Sequence, residues 1–353
     1  MKFTLLSRVE NLYIPQTLET AKTSLLQDLI YNYPEELVAQ TPQWPPRVLR
    51  VDSLGPCEIT FSELLNLIPP GDVLVINDTK VLKRRVFASG LEILFLTPSV
   101  DRQEWEVLFP SKDLKVGAEI ELPGGVKMTL LQKGRPQRVG TSKPLEEHYF
   151  QTYAELPLPP YIQKARGERH NVTEDSRWYQ TPWAEKPGSL AAPTASLHFR
   201  AQDLETLRGR GVFVETLTLH VGLGTFLPLT QDNLKTQTLH EEWVDIPEKT
   251  WTKIQEMKSQ GKKVWALGTT VTRSLESAAL KNQRHFQTDL FILPGFSFQI
   301  VDHLLTNFHQ PGSSLLALVM AFAGKDKTQK AYQKALEQKF RLFSYGDFSL
   351  WTR

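Results

Sequence analysis

Two periods of apolar and polar residues divide this chain, and the change from one to the other is the first guide to its fold. Leu18, Ala21, Leu25, Leu26, Leu29 and Ile30 recur near helical spacing, which predicts one helix or two over residues 17–40, with Pro34-Glu35-Glu36 as a second start. Thr41-Pro-Gln-Trp-Pro-Pro is a rigid connector, and Pro69-Pro70-Gly71-Asp72 makes a turn before an apolar strand at 73–76. From there to about residue 152 short strands are separated by tight turns: 91–96, 105–109, 119–122, then Pro123-Gly124-Gly125, then 126–130. Such a stretch suits a small antiparallel barrel. Leu156-Pro-Leu-Pro-Pro-Tyr breaks the pattern, and residues 164–176, charged and glycine-containing, read as a mobile loop. Beyond it, predicted strands at 212–221, 264–267, 290–293 and 303–308 alternate with predicted helices at 271–279, 314–323 and 329–340. That alternation favours an α/β layer with parallel strands.

Composition narrows the picture. A chain of 353 residues, 41% hydrophobic and 23% charged, is globular and long enough for two domains. The formal net charge of +2 excludes a histone-like tail, so a nucleic-acid partner is permitted and not demanded. The lone Cys57 excludes an internal disulfide framework, a multi-cysteine zinc site and a three-cysteine cluster, which points to the cytoplasm. Met-Lys-Phe-Thr-Leu-Leu-Ser-Arg meets charge too early for a secretory signal, and the longest apolar run, 314–323, covers half a bilayer. No membrane association is expected.

Three polar words in the second half carry candidate chemistry: Ala-Ala-Pro-Thr-Ala-Ser-Leu-His-Phe at 191–199, Thr-Leu-His-Val-Gly-Leu-Gly-Thr-Phe at 218–226, and Thr-Asn-Phe-His-Gln-Pro-Gly-Ser-Ser at 306–314. Each sets His, Thr or Ser beside Gly or Pro next to an apolar run, where a strand hands over to a turn. A fourth, Val264-Trp-Ala-Leu-Gly-Thr-Thr-Val-Thr-Arg-Ser-Leu-Glu-Ser, reads as a buried strand ending at Gly268 and a helix starting near Thr270, whose hydroxyl either caps the first turn or faces a ligand. Arg273 and Glu276, three apart, are either a solvated pair or a charged pocket wall. Gly222-Leu-Gly224 lacks the third glycine of a dinucleotide fingerprint, no P-loop exists, and His240-Glu241-Glu242 lacks metal-ligand spacing, so no metal is expected. Ser313 with His309 imitates a hydrolase pair without the nucleophile elbow, and Ser313 reads as a helix cap. Lys80, Lys83, Arg84 and Arg85 form one basic cluster, and Lys133, Arg135 and Arg138 another; each is either a phosphate contact or a solvated face.

In order, these words resemble the S-adenosylmethionine:tRNA ribosyltransferase-isomerases of queuosine biosynthesis. The likeness runs through Glu36-Leu-Val-Ala-Gln-Thr-Pro, Pro70-Gly-Asp-Val-Leu-Val-Ile-Asn-Asp-Thr-Lys, Pro159-Pro-Tyr-Ile, Ala191-Ala-Pro-Thr-Ala, Leu197-His-Phe, 218–226, Gly268-Thr-Thr-Val-Thr-Arg-Ser-Leu-Glu-Ser, Pro294-Gly-Phe-Ser-Phe, Thr306-Asn-Phe-His and Phe343-Ser-Tyr-Gly-Asp. It departs where Lys80-Val-Leu-Lys-Arg-Arg replaces the family's Arg-Val-x-Pro-Ala-Arg, and at Ser196 and Gln310, where the family favours Gly and Leu.

The resemblance implies a larger discontinuous α/β domain, residues 1–70 and 153–353, with a small antiparallel β-barrel inserted at 71–152. It also implies transfer and isomerisation of the ribosyl part of S-adenosylmethionine onto 7-aminomethyl-7-deazaguanine in a tRNA anticodon. Adenine and methionine leave, and S-adenosylmethionine is a substrate, with no separate cofactor. A non-catalytic RNA-binding relative is the alternative. The chemistry needs a proton removed beside sulfur, a neutral amine and stabilisation of departing adenine, for which one or two histidines or a carboxylate with a pKa near neutrality are the natural acid and base. His198, His220 and His309 are the expected acid–base residues. Thr194, Gly222, Thr269, Thr270, Arg273, Glu276 and Asn307 are expected around S-adenosylmethionine, with Phe199, Phe226 and Phe308 as aromatic faces for the sulfonium. Lys80, Lys83, Arg84 and Arg85 are expected on tRNA phosphates, and a monomer is expected.

Overall fold

The computed structural model describes residues 25–222, 224 and 229–353. The expected helix positions Leu18 and Ala21, and Phe226, lie outside the described residues. In chain order the strands are β1 (Val48–Asp52), β2 (Gly55–Ile59), β3 (Val73–Asn77), β4 (Thr79–Val81), β5 (Arg85–Ala88), β6 (Leu91–Pro98), β7 (Glu104–Leu108), β8 (Glu119–Leu122), β9 (Val126–Gln132) and β10 (Gln137–Thr141). They continue with β11 (Ala154–Glu155), β12 (Lys186–Ser189), β13 (Phe213–Leu219), β14 (Thr238–Asp245), β15 (Val264–Leu267), β16 (His285–Leu290), β17 (His303–Asn307) and β18 (Phe348–Thr352).

Nine of these form one sheet, in the order β16-β14-β13-β3-β15-β17-β18-β1-β2. Its middle is parallel, with β13 beside β3, β3 beside β15 and β15 beside β17. Val73-Leu-Val-Ile and Val264-Trp-Ala-Leu are the unbroken apolar runs that burial on both faces requires. Successive residues point to opposite faces, so Val73, Val75, Val264 and Ala266 feed one core while Leu74, Ile76, Trp265 and Leu267 feed another. The helix Ser314–Ala323 packs on the first core through Leu316, Ala317, Val319 and Met320. Emptying such a position, as in Leu316→Ala, costs about 2–5 kcal/mol. Antiparallel neighbours flank the parallel middle: β14 pairs with β13 and β16, β18 with β17, and β2 with β1. The parallel layer expected from sequence is therefore the centre of a mixed sheet.

A second sheet of seven strands, β11-β5-β6-β7-β10-β9-β8, is antiparallel throughout. It curls until β8 returns near β5, enclosing Phe95, Trp105 and Phe150. The expected barrel is thus a curled half-barrel sheet. Residues 73–77, placed by the sequence pattern at the head of the insert, instead form β3 at the centre of the large sheet. Two further expectations change. Strand β16 ends at Leu290 where a strand at 290–293 was expected, and 164–176 is no free loop. The helices Pro160–Arg166 and Asp175–Trp178 occupy its ends, and Arg166 donates to both oxygens of the fully buried Asp175 at 2.6 and 2.9 Å. Among the described residues no helix is long and apolar enough to cross a membrane.

Candidate active site

Because β13, β3, β15 and β17 run parallel, their C-terminal ends lie along one edge, the usual ligand side of such a sheet. The described residues of the polar words of the second half gather there, yet in two unlike clusters.

At the β15 and β17 ends a cavity of about 640 Å³ opens, lined by Thr194, Gly268, Thr269, Thr270, Arg273, Asn307 and His309 among others. Gly268 leaves β15 at φ 103°, a conformation open to glycine, and the helix Thr269–Lys281 starts directly after it with no side-chain cap. Of the two readings open for Thr270, the cap is not made; its Oγ1 is buried without a partner. The positive end of the helix therefore stands at the cavity wall with its first-turn amides uncapped by any side chain.

One turn on, Arg273 is buried. Its Nη1 pairs with Glu242 of β14, its Nε donates to the Leu290 carbonyl at 3.1 Å, and its Nη2 has no partner. Glu242 also accepts the Gly222 amide at 2.9 Å, which is how Gly222 belongs to the site: it anchors the carboxylate and is not in the cavity wall. The Arg273–Glu276 pair does not form. Glu276 turns away to accept the amides of Gln299, Ile300 and Val301 at 2.8, 3.0 and 2.9 Å; burial pushes its carboxyl up and those three donors oppose the shift. It is a loop clamp outside the cavity wall.

Across the cavity, Thr194 Oγ1 donates to Asn307 Oδ1 at 2.9 Å, and Asn307 Nδ2 donates to His198 Nε2 at 2.8 Å and to the Phe343 carbonyl at 3.0 Å. His198 stands behind Asn307, stacked on Phe348 with ring centroids 4.8 Å apart, and does not line the cavity. Burial, aided by Arg341, lowers its pKa to about 3. His309 does line the cavity; it pairs through Nε2 with Thr306 Oγ1 at 2.9 Å, and burial lowers its pKa to about 3 as well. Neither is an imidazole poised near neutrality. Phe199 is packed among Phe61 and Phe348 away from the cavity, whereas Phe308 contributes to its wall. Ser313 caps the helix Ser314–Ala323, accepting the Leu316 amide at 3.2 Å, as read from the sequence.

The second cluster, at the β3 and β13 ends, is closed. Asn77 accepts the amides of Thr79 and Leu219 at 3.0 and 3.1 Å and returns a bond to the Leu219 carbonyl at 3.0 Å. Thr218 donates to Asp78 at 2.5 Å, and Thr79 Oγ1 pairs with both Ser189 Oγ at 2.7 Å and His220 Nδ1 at 2.8 Å. His220 thus belongs to a fastening between β4, β12 and β13 and is absent from the cavity wall. Burial lowers its pKa, with Asp78 pulling the other way.

The basic cluster near residue 80 divides. Arg84 is buried against Glu147 at 2.7 Å and lies 4.3 Å from the Phe150 ring, and Arg85 is buried against Glu155 at 2.9 Å. Arg84 is spent on its ion pair, and Arg85 is buried with only its Nη2 hydrogen-bonded, so neither forms the expected exposed phosphate surface; Lys80 stays exposed and Lys83 half-buried. Sequence reasoning missed Glu242, whose tie to Arg273 spans 31 positions, and did not place Arg135 of the other basic cluster at this cavity. The only local signal for Glu242 was the His240-Glu241-Glu242 word, read there solely for metal spacing.

A family model described as a queuosine biosynthesis protein matches residues 26–351. The S-adenosylmethionine:tRNA ribosyltransferase-isomerase of Halothermothrix orenii is 40% identical, over 92% of this chain and 99% of that protein. Its namesake from Burkholderia cenocepacia is also 40% identical, over 93% of this chain and 97% of that protein. The crystal structure of S-adenosylmethionine tRNA ribosyltransferase from Thermotoga maritima aligns with a TM-score of 0.52 at 29% identity, covering 92% of this chain and 99% of that one. With a model matched over residues 26–351 and relatives 40% identical over more than nine tenths of both chains, this chain belongs to the queuosine biosynthesis family.

Proposed function

We propose that this chain transfers and isomerises the ribosyl moiety of S-adenosylmethionine onto 7-aminomethyl-7-deazaguanine in a tRNA anticodon, giving epoxyqueuosine and releasing adenine and methionine. The observation that carries the reading is the cavity beside Gly268, in a chain of this family: it is lined by Arg273, which keeps one buried guanidinium nitrogen unpartnered, by Thr270, whose buried hydroxyl is unpartnered, and by a helix N-terminus. These are hydrogen-bond donors, matched to a carboxylate such as that of the methionine part. Glu242 neutralises Arg273 so that the wall does not repel the sulfonium. Thr194 and Asn307, braced by neutral His198, hold the opposite wall, and neutral His309 lies within it. Such a cavity suits a small molecule of S-adenosylmethionine's size.

In this reading the large mixed sheet is the catalytic unit, residues 1–70 and 153–353 with β3 added to it, and the half-barrel is an insert that helps hold the RNA. The protein acts as a cytoplasmic monomer, with S-adenosylmethionine consumed and no further cofactor. The target base leaves its loop to enter the cavity, as base-modifying enzymes require. Incubation with S-adenosylmethionine and precursor-modified tRNA is expected to release adenine and methionine in equal amounts. Tight tRNA binding without either product would contradict the proposal and favour a non-catalytic RNA-binding relative.

A further inference from the structure

A second cavity, of about 600 Å³, lies between the half-barrel and the connector at 157–169. It shares Arg135 and Pro160 with the active-site cavity, so the two meet at the Arg135 side chain, on the exposed loop between β9 and β10. Two buried side chains in its wall keep polar atoms unpaired. Gln137 spends its Nε2 on the Phe109 carbonyl and Ser111 Oγ, each at 2.8 Å, while its Oε1 has no partner. Arg85, 1% exposed, gives Nη2 to Glu155 and Asn171, while Nε and Nη1 make no hydrogen bond and Nη1 is held only by a longer ion pair with Glu92 at 3.7 Å. Arg169 stands at the rim, loosely held by Glu92 at 3.4 Å.

A buried acceptor and buried donors left unpaired on side chains that line one cavity call for a ligand whose edge carries both. Unpaired nucleobases have such edges, and proteins read RNA in loops by taking splayed bases into pockets of this kind. We infer that this cavity receives the nucleobase adjacent to the modified one, with Gln137 and Arg85 reading its edge and Arg135 holding the phosphate that joins the two nucleotides. The inference rests on the ribosyl-transfer reading. It gives Arg85 a role in base reading in place of the exposed phosphate contact expected from sequence, and it makes the Arg135 loop the junction between two base pockets.

The test uses anticodon stem-loop RNAs carrying 7-aminomethyl-7-deazaguanine, either intact or with an abasic ribose immediately before or after that nucleotide, and measures dissociation constants by fluorescence anisotropy. For the wild-type protein, one of the two abasic loops is expected to bind about tenfold more weakly than the intact loop, the usual worth of a held base. In Gln137→Leu that penalty shrinks to less than about threefold. Arg135→Ala, an exposed change that does not threaten folding, weakens all three loops alike and lowers the salt slope by about one unit. Equal binding of all three loops by the wild type, a full abasic penalty retained in Gln137→Leu, or an unchanged salt slope in Arg135→Ala would overturn the inference. Adenine release from the intact loop is scored separately, so a failure of the ribosyl-transfer reading is seen independently of these affinities.

Discussion

Two polar clusters sit on the same edge of the same sheet, and only one of them is built to receive something. At the β3 and β13 ends, Asn77, Asp78, Thr79, Ser189, Thr218 and His220 bond to one another or to the backbone. At the β15 and β17 ends, Thr270 Oγ1 and Arg273 Nη2 are left without partners beside a cavity. The strand-end rule that drew attention to His220 holds for both clusters and so cannot separate them. What separates them is hydrogen-bond accounting: a buried polar atom without a partner costs about 1–3 kcal/mol, and a fold keeps that cost where a ligand removes it.

Removing a member of the open cluster gives the largest expected effect. Glu242→Ala leaves Arg273 buried without its counter-charge, a loss of about 3–5 kcal/mol. Thermal melting is expected to show that drop together with loss of S-adenosylmethionine binding; unchanged melting would mean the pair is solvated and the contrast drawn here is wrong.

Smaller per pH unit is the effect of the two histidines buried beside the cavity. Their folded pKa of about 3 lies below an unfolded value near 6.5. Between those values the unfolded chain binds the extra protons, so stability falls as pH drops from about 6.5 towards 3, by up to about 1.4 kcal/mol per pH unit for each histidine. Above pH 6.5 neither contributes a slope. Urea unfolding across that window checks it, and His198→Gln is expected to remove about one histidine's share. A slope unaffected by that change would show that His198 is accessible to protons in the folded state.

The smallest effect belongs to the closed cluster. His220→Gln removes one bond, to Thr79, and is expected to lower stability by about 1 kcal/mol and to change turnover per folded molecule less than about threefold. A hundredfold loss of turnover at unchanged stability would return His220 to the chemistry and dissolve the distinction between the clusters.

How much of this was legible in the sequence follows from the range of each signal. The helix Ser314–Ala323 and its Ser313 cap were readable because an apolar run and a capping residue are local, and the passage from Val264–Leu267 through Gly268 into a helix was readable for the same reason. The pairing of β1 with β18 was not, since Val48 meets Phe348 three hundred positions away and alternation carries no register between distant strands. Charge misled in a similar way. Lys83-Arg84-Arg85 looks like a phosphate patch until the fold brings Glu147 and Glu155 against it. Arg273 with Glu276 looked like a pair because three residues is a helical neighbour distance, yet β14 supplies the real partner and the 299–301 backbone takes the other carboxylate.

The central claim, that the unpartnered donors beside Gly268 hold S-adenosylmethionine, is tested most directly by calorimetric titration of S-adenosylmethionine into the wild type, Arg273→Lys and His220→Gln. Lysine keeps the charge opposite Glu242 but lacks the second arm of the guanidinium fork. The account predicts that Arg273→Lys weakens binding by about tenfold or more while His220→Gln stays within about threefold of the wild type. Wild-type affinity in Arg273→Lys, or the greater loss in His220→Gln, would contradict it.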